Sequence, residues 1–146
     1  MEEDQNATTI SLSTVRATLE TNFFGLIQTT KTLLPLVRKG ENAVIVNVSI
    51  DMASNTIQSK PDAILHVVAY NTSKAAANSY TIALAQELKK ENIKVNAITP
   101  GFTTTKLNHY HPGGKTPKGG AEVILPWALL DKDGPTCMFE FVTTDN

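Results

Sequence analysis

Tyr70 and Lys74 stand four residues apart in "AYNTSKAAAN", on a stretch rich in good helix formers. That spacing is one helical turn, so a phenol and an ammonium would share one face. It suits a proton-transfer pair and equally an ordinary amphipathic turn. A Tyr-x-x-x-Lys spacing arises by chance in roughly one chain in four of this length, so the elements around it have to decide.

From Leu12 to Lys39, apolar residues at three- and four-residue steps (Val15, Leu19, Phe23, Leu26, Leu33, Val37) predict a long helix. Gly40 supplies its stop, and Pro35 is expected to bend it or tighten its last turn. "AVIVNV", Ala43 to Val48, has almost no alternation and reads as a strand covered on both faces, as in a parallel sheet. Residues 49–66 are polar and read as an unusually long loop, functional or disordered. The Tyr/Lys segment then predicts a second long helix from about Val67 to Lys90, and "NIKVNAIT" a second buried strand. After Pro100-Gly101, "NHYHPGGKTPKGG" reads as mobile. A short helix around Ala121 to Leu130, disturbed by Pro126, and a strand at "CMFEFV" close the pattern. Helices alternate with strands, which predicts an α/β fold with three parallel strands.

The 146 residues amount to one domain, with residues 1–11 expected to be a flexible N-terminus. Thirteen basic against fourteen acidic side chains leave a net charge of -1, which argues against nucleic acid or an anionic membrane as partner. The single cysteine, Cys137, fits a reducing compartment. "MEEDQNATTISLS" lacks the pattern of a secretory signal, and no apolar run is long enough to span a bilayer. The protein therefore reads as cytoplasmic. His109 and His111 flank Tyr110, but no third ligand accompanies them, so no metal site is assigned.

Taken together, "TNFFG", "VIVNVS", "AYNTSKAA" and "KVNAITPGFTTT" resemble, in order and spacing, the short-chain dehydrogenase/reductase family, in its carbonyl-reductase-like part. The resemblance runs from about Leu12 to Val142. It implies a Rossmann-type doubly wound fold, with two long helices and one short one beside the three strands, and an NAD(P)-dependent hydride transfer between nicotinamide and a carbonyl or secondary alcohol. It implies that Tyr70 is the acid/base, since reducing a ketone requires a proton at the oxygen. Lys74 is implied to favour the phenolate and hold the nicotinamide ribose, and Asn22 to support a water linked to the lysine. Pro100, Gly101, Thr103 and Thr105 fall where the family holds the cofactor, NAD or NADP. Its two long helices commonly form a subunit interface, so a homo-oligomer, or pairing with a full-length relative, is implied as well.

The pattern departs from the family in three places. The usual strand end is Asn-x-Ser-Ser, whereas this chain has Asn47-Val48-Ser49-Ile50, with Ile50 at the catalytic serine position. Ser49, one residue away, is the candidate by resemblance for the serine that steadies the substrate oxygen, although alternation in extended backbone turns it to the opposite face unless the strand end bulges; Ser54 is the next hydroxyl. Cys137 stands where the family commonly has glycine. Finally, the eight glycines cannot be arranged as G-x-G-x-x-G, so the chain is expected to correspond to the C-terminal half of such an enzyme. Two readings follow: an oxidoreductase using Tyr70, Lys74 and Asn22, or a catalytically inactive fragment acting through helix-mediated association. On the second, the purified chain is expected to show no carbonyl reductase activity.

Overall fold

The computed structural model describes residues 5–63 and 66–141. Three parallel strands, β1 (Val44–Val48), β2 (Lys94–Thr99) and β3 (Phe139–Phe141), form one sheet in the order β1-β2-β3, with Val44 opposite Lys94 and Ala97 opposite Phe139. The fold is α/β, as the alternation of elements predicts; Val142 lies outside the described residues.

The first long helix is built in two pieces, α1 (Leu12–Leu19) and α2 (Gly25–Val37), joined by a single π-helical turn at Glu20–Phe24. Ser11 caps α1 through an N–H from Thr14. The wide turn closes with the Gly25 N–H on the Glu20 carbonyl, and a Cβ at Gly25 would stand 3.2 Å from that same oxygen. The far end of α2, which contains Pro35, tightens: Lys39 donates to Leu36 and Gly40 to Val37, both at 3.0 Å in the three-residue pattern.

Ser54 caps α3 (Asn55–Gln58), which follows a 3-10 turn at Asp51–Ala53, so the long polar loop contains local structure. Next comes α4 (Val68–Leu88), extended by a 3-10 turn to Glu91. The last helix, α5 (Pro117–Ala128), begins four residues before the predicted start, because Thr116 is its N-cap and Pro117 its first residue. The glycine-rich stretch ahead of it is tied down: Thr104 N–H donates to Lys115 O, Lys115 N–H to Phe102 O, and Thr105 and Asn108 form a capping box.

Leu84, Ala85 and Leu88 of α4 bury themselves against Ile93 and Val95, with Leu34 and Ile45 packed alongside. Every residue of β2 is buried, whereas β1, at the sheet edge, leaves Val48 49% exposed. The fully buried Asn96 is satisfied on both sides: its Nδ2 donates to Pro135 O and its Oδ1 accepts from Met138 N–H, each at 3.0 Å. Cys137 lies between them at φ 65°, in the left-handed region that favours glycine, which gives a physical reason for the family's preference there.

Candidate active site

The Leu84–Leu88 cluster packs on the N-terminal ends of the strands, and the C-terminal ends are where open α/β sheets place their ligands. There, a cavity of about 620 Å³ opens between α1, the π turn and the first turns of α4, with Leu107 at its rim. Asn22, Tyr70 and Lys74 all line it.

Each is positioned by local structure. Tyr70 and Lys74 occupy successive turns of α4, with Lys74 Nζ 5.9 Å from the centre of the tyrosine ring and donating to the Val48 carbonyl at 3.0 Å. Asn22 sits in the π turn. Such turns re-aim a side chain that a regular helix would carry elsewhere and recur at functional sites. Its Nδ2 donates to Ser73 Oγ at 3.0 Å, and Ser73 Oγ donates back to the Tyr70 carbonyl at 2.8 Å. The asparagine is thus linked to the tyrosine's own backbone.

Burial pushes the Tyr70 phenol above its ordinary value of 10.0 and lowers the Lys74 ammonium below its ordinary 10.5. Here the structure departs from the expectation that the lysine charge makes the phenol more acidic. Nζ is turned to a strand carbonyl, and desolvation dominates at both groups.

Ser49 is not brought into the cavity. Asn47 and Ser49 share the face of β1 turned to α4, where Asn47 Nδ2 donates to Thr81 Oγ1 at 2.8 Å and Ser49 Oγ to Asn78 Oδ1 at 2.6 Å. There is no bulge to redirect the serine, since Ser49 N–H continues the ladder onto Ile98 O. Alternation sets Ile50 on the opposite face. Ser54 is engaged as the cap of α3.

Pro100, Gly101, Thr103 and Thr105 adjoin the cavity in sequence through Leu107 but do not line it. Gly101 has φ +74°, and Lys115 Nζ donates to Pro100 O at 3.1 Å across the turn. Thr103 Oγ1 donates to Gly101 O, and Thr105 Oγ1 accepts from Leu107 N–H. His109 and His111 lie in the same loop away from the cavity, with His111 edge-on to Phe102.

Two contributors escape sequence reasoning. Ser73 carries a legible signal, being three residues after Tyr70 in a helix, where a serine hydroxyl reaches back to a carbonyl. Gln5 carries none. The N-cap, Val67, has no side-chain cap bond; Val68 N–H donates to Gln5 O and Ala69 N–H to Gln5 Oε1, both at 3.2 Å, and Gln5 lines the cavity.

Comparison with known proteins agrees with this fold. A profile of the short chain dehydrogenase family matches residues 1–114. The chain belongs to that family. Salutaridine reductase of Papaver bracteatum is 29% identical over 157 aligned positions, covering 83% of this chain and 50% of that protein. The solved structure of salutaridine reductase from Papaver somniferum superposes with a TM-score of 0.76 at 28% identity, over 90% of this chain and 56% of that one. A 3-ketoacyl-(acyl-carrier-protein) reductase from Brucella melitensis, solved with NADH, gives a TM-score of 0.79 at 24% identity, over 96% and 60% of the two chains, and shares the fold. The chain therefore spans about half the length of the curated relatives it matches. Among the described residues no helix is long and apolar enough to cross a membrane.

Proposed function

We propose that this chain carries the proton-transfer end of an NAD(P)-dependent carbonyl reductase or secondary-alcohol dehydrogenase. The observation that supports it is the convergence of Asn22, Tyr70 and Lys74 on one cavity, tied together through Ser73. Family membership and the NADH in the Brucella relative support a nicotinamide cofactor, NAD or NADP.

The side chains fit the nicotinamide-ribose end of such a cofactor. Lys74 Nζ has three protons, of which Val48 O takes one, leaving donors for ribose hydroxyls on the cavity wall. Pro100, Gly101, Thr103 and Thr105 would flank the ring from the neighbouring turn. A reduced nicotinamide, when bound, supplies the hydride. Tyr70 Oη supplies the proton: as the carbonyl carbon gains hydride, its oxygen takes the phenolic proton, leaving a phenolate that solvent reprotonates. A phenol whose pKa burial has raised stays protonated through neutral pH, which suits the reductive direction. Asn22 holds the tyrosine's helix turn through Ser73 and presents its amide to the same cavity.

A second reading, that the 146-residue chain is inactive on its own and acts through helix-mediated association as a homo-oligomer or with a longer relative, is favoured by Ile50 and by Ser49 being committed to Asn78. Losing an oxyanion donor costs on the order of a hundredfold or more in turnover. The test is NADH and NADPH oxidation with a ketone, comparing wild type and Tyr70→Phe. The proposal expects a slow wild-type rate, abolished by Tyr70→Phe. A rate indifferent to Tyr70 would overturn it, and micromolar cofactor affinity with Tyr70-dependent turnover in wild type would sink the second reading.

A further inference from the structure

The Pro100–Gly101 turn leaves the C-terminal end of β2 in a conformation that most residues resist, since Gly101 has φ +74°. Thr103 Oγ1 closes on Gly101 O from within the turn at 3.1 Å. The hold from outside is Lys115. Its N–H donates to Phe102 O and its O accepts from Thr104 N–H, both at 2.9 Å, so that Thr103 and Lys115 run side by side as a short parallel bridge. Many residue types could make those backbone bonds. The remaining bond needs a long side chain ending in a donor: Lys115 Nζ reaches Pro100 O at 3.1 Å, fifteen positions back along the chain. A charged donor on a carbonyl is among the stronger hydrogen bonds.

A second observation comes from Gly101 itself. A Cβ there would stand 2.6 Å from Lys115 Nζ, and apart from its chain neighbours no other atom lies within 4 Å. The space a side chain would fill at Gly101 is therefore taken by the ammonium. Lys115 also directly precedes Thr116, the N-cap of α5, and Thr103 packs on Gly120 of that helix, where a Cβ would stand 2.8 Å from Thr103 Oγ1. The turn is tied to the start of α5 and is not a free end of β2.

We propose that Lys115 is a positioning residue, whose ammonium fixes the Pro100–Gly101 turn in the form in which it flanks a nicotinamide ring. The role of the turn rests on the function proposed above; the hold of Lys115 on the turn can be read without ligand. Lys115 does not line the cavity and acts through the Pro100 carbonyl.

Three substitutions in the full chain test it. Lys115→Met keeps the length and the backbone bonds and removes the donor, Lys115→Arg keeps a charged donor, and Gly101→Ala sets a Cβ against the ammonium. Two NMR readouts serve: the Pro100 carbonyl carbon in the ligand-free chain, and the affinity for reduced nicotinamide mononucleotide. In Lys115→Met the Pro100 signal is expected to move while the Thr104 amide, bonded to the backbone oxygen of position 115, keeps its exchange rate. Mononucleotide affinity falls about tenfold, the worth of one hydrogen bond from a charged donor, and Lys115→Arg restores most of it. Gly101→Ala weakens binding less in the Lys115→Met background than in wild type, because the same bond can be lost only once.

An unmoved Pro100 signal in Lys115→Met, a mononucleotide affinity equal to that of wild type, or effects of Gly101→Ala and Lys115→Met that simply add would each overturn the proposal. Failure of the mononucleotide to bind wild type counts against the function alone, and the ligand-free Pro100 signal then decides for or against Lys115.

Discussion

At the scale of single residues, the titration of Tyr70 is the sharpest consequence of the geometry. Its midpoint is expected above 10.0, read as the alkaline tyrosinate absorbance lost in Tyr70→Phe, because burial raises it. Since burial and not the neighbouring charge sets it, Lys74→Met should leave that midpoint in place; a marked upward move on losing the lysine would mean the ammonium was holding it down. The linkage has a definite sign. A folded-state value above the unfolded one contributes stability below pH 10 that disappears as pH rises through the raised midpoint. Ser49 belongs to the core: Ser49→Ala strands the Asn78 amide oxygen and is expected to cost about 1–3 kcal/mol in denaturant unfolding, with no change in ketone binding. Both placements were legible. The helical period puts Tyr70 and Lys74 on one face, and strand alternation turns Ser49 away from Ile50's side. The direction of the tyrosine's shift was not, because burial depends on what the fold packs around the ring.

At the scale of elements, helix α4 is the part the chemistry depends on, and its start is held from far away in sequence. Gln5→Ala should cost about 1 kcal/mol, a typical capping value, and speed hydrogen exchange at the Ala69 amide, whose acceptor is Gln5 Oε1. Unchanged exchange at Ala69 would mean that the contact contributes nothing. Nothing in "EEDQNATTI" advertises this role, since a cap supplied by tertiary contact leaves no local pattern. The π turn was similarly invisible: the apolar period carries straight through "ETNFF", and the wider turn shows only in hydrogen bonding. The start of α5 was written plainly as Thr116-Pro117, but the glycines at 119 and 120 obscured it. Gly120 is explained by packing, since a Cβ there would stand 2.8 Å from Thr103 Oγ1.

At the scale of the whole molecule, three parallel strands with β1 at an open edge define what the chain can do. The strand order was legible from alternating elements, and the site at the C-terminal end of the sheet follows from that order. Across the far end, Arg38 after α2 forms a two-point pair with Glu91 after α4, at 2.6 and 2.7 Å. The side-chain hydrogen bond to Arg38 lowers the Glu91 pKa below its ordinary 4.5. The stability this contributes is present above that value and lost as pH falls through the lowered one. Glu91→Gln should therefore flatten the acid limb of the thermal unfolding profile and leave neutral ligand binding unaltered.

The central claim is that Asn22, Tyr70 and Lys74 form one nicotinamide-facing, proton-transferring group. Reduced nicotinamide mononucleotide, which carries the ring and ribose without the adenosine half, tests it directly by side-chain NMR titration of the full chain. The account predicts shifts concentrated at Asn22, Tyr70 and Lys74. Binding that moves other signals and leaves these three unchanged, or no binding at all, would contradict it.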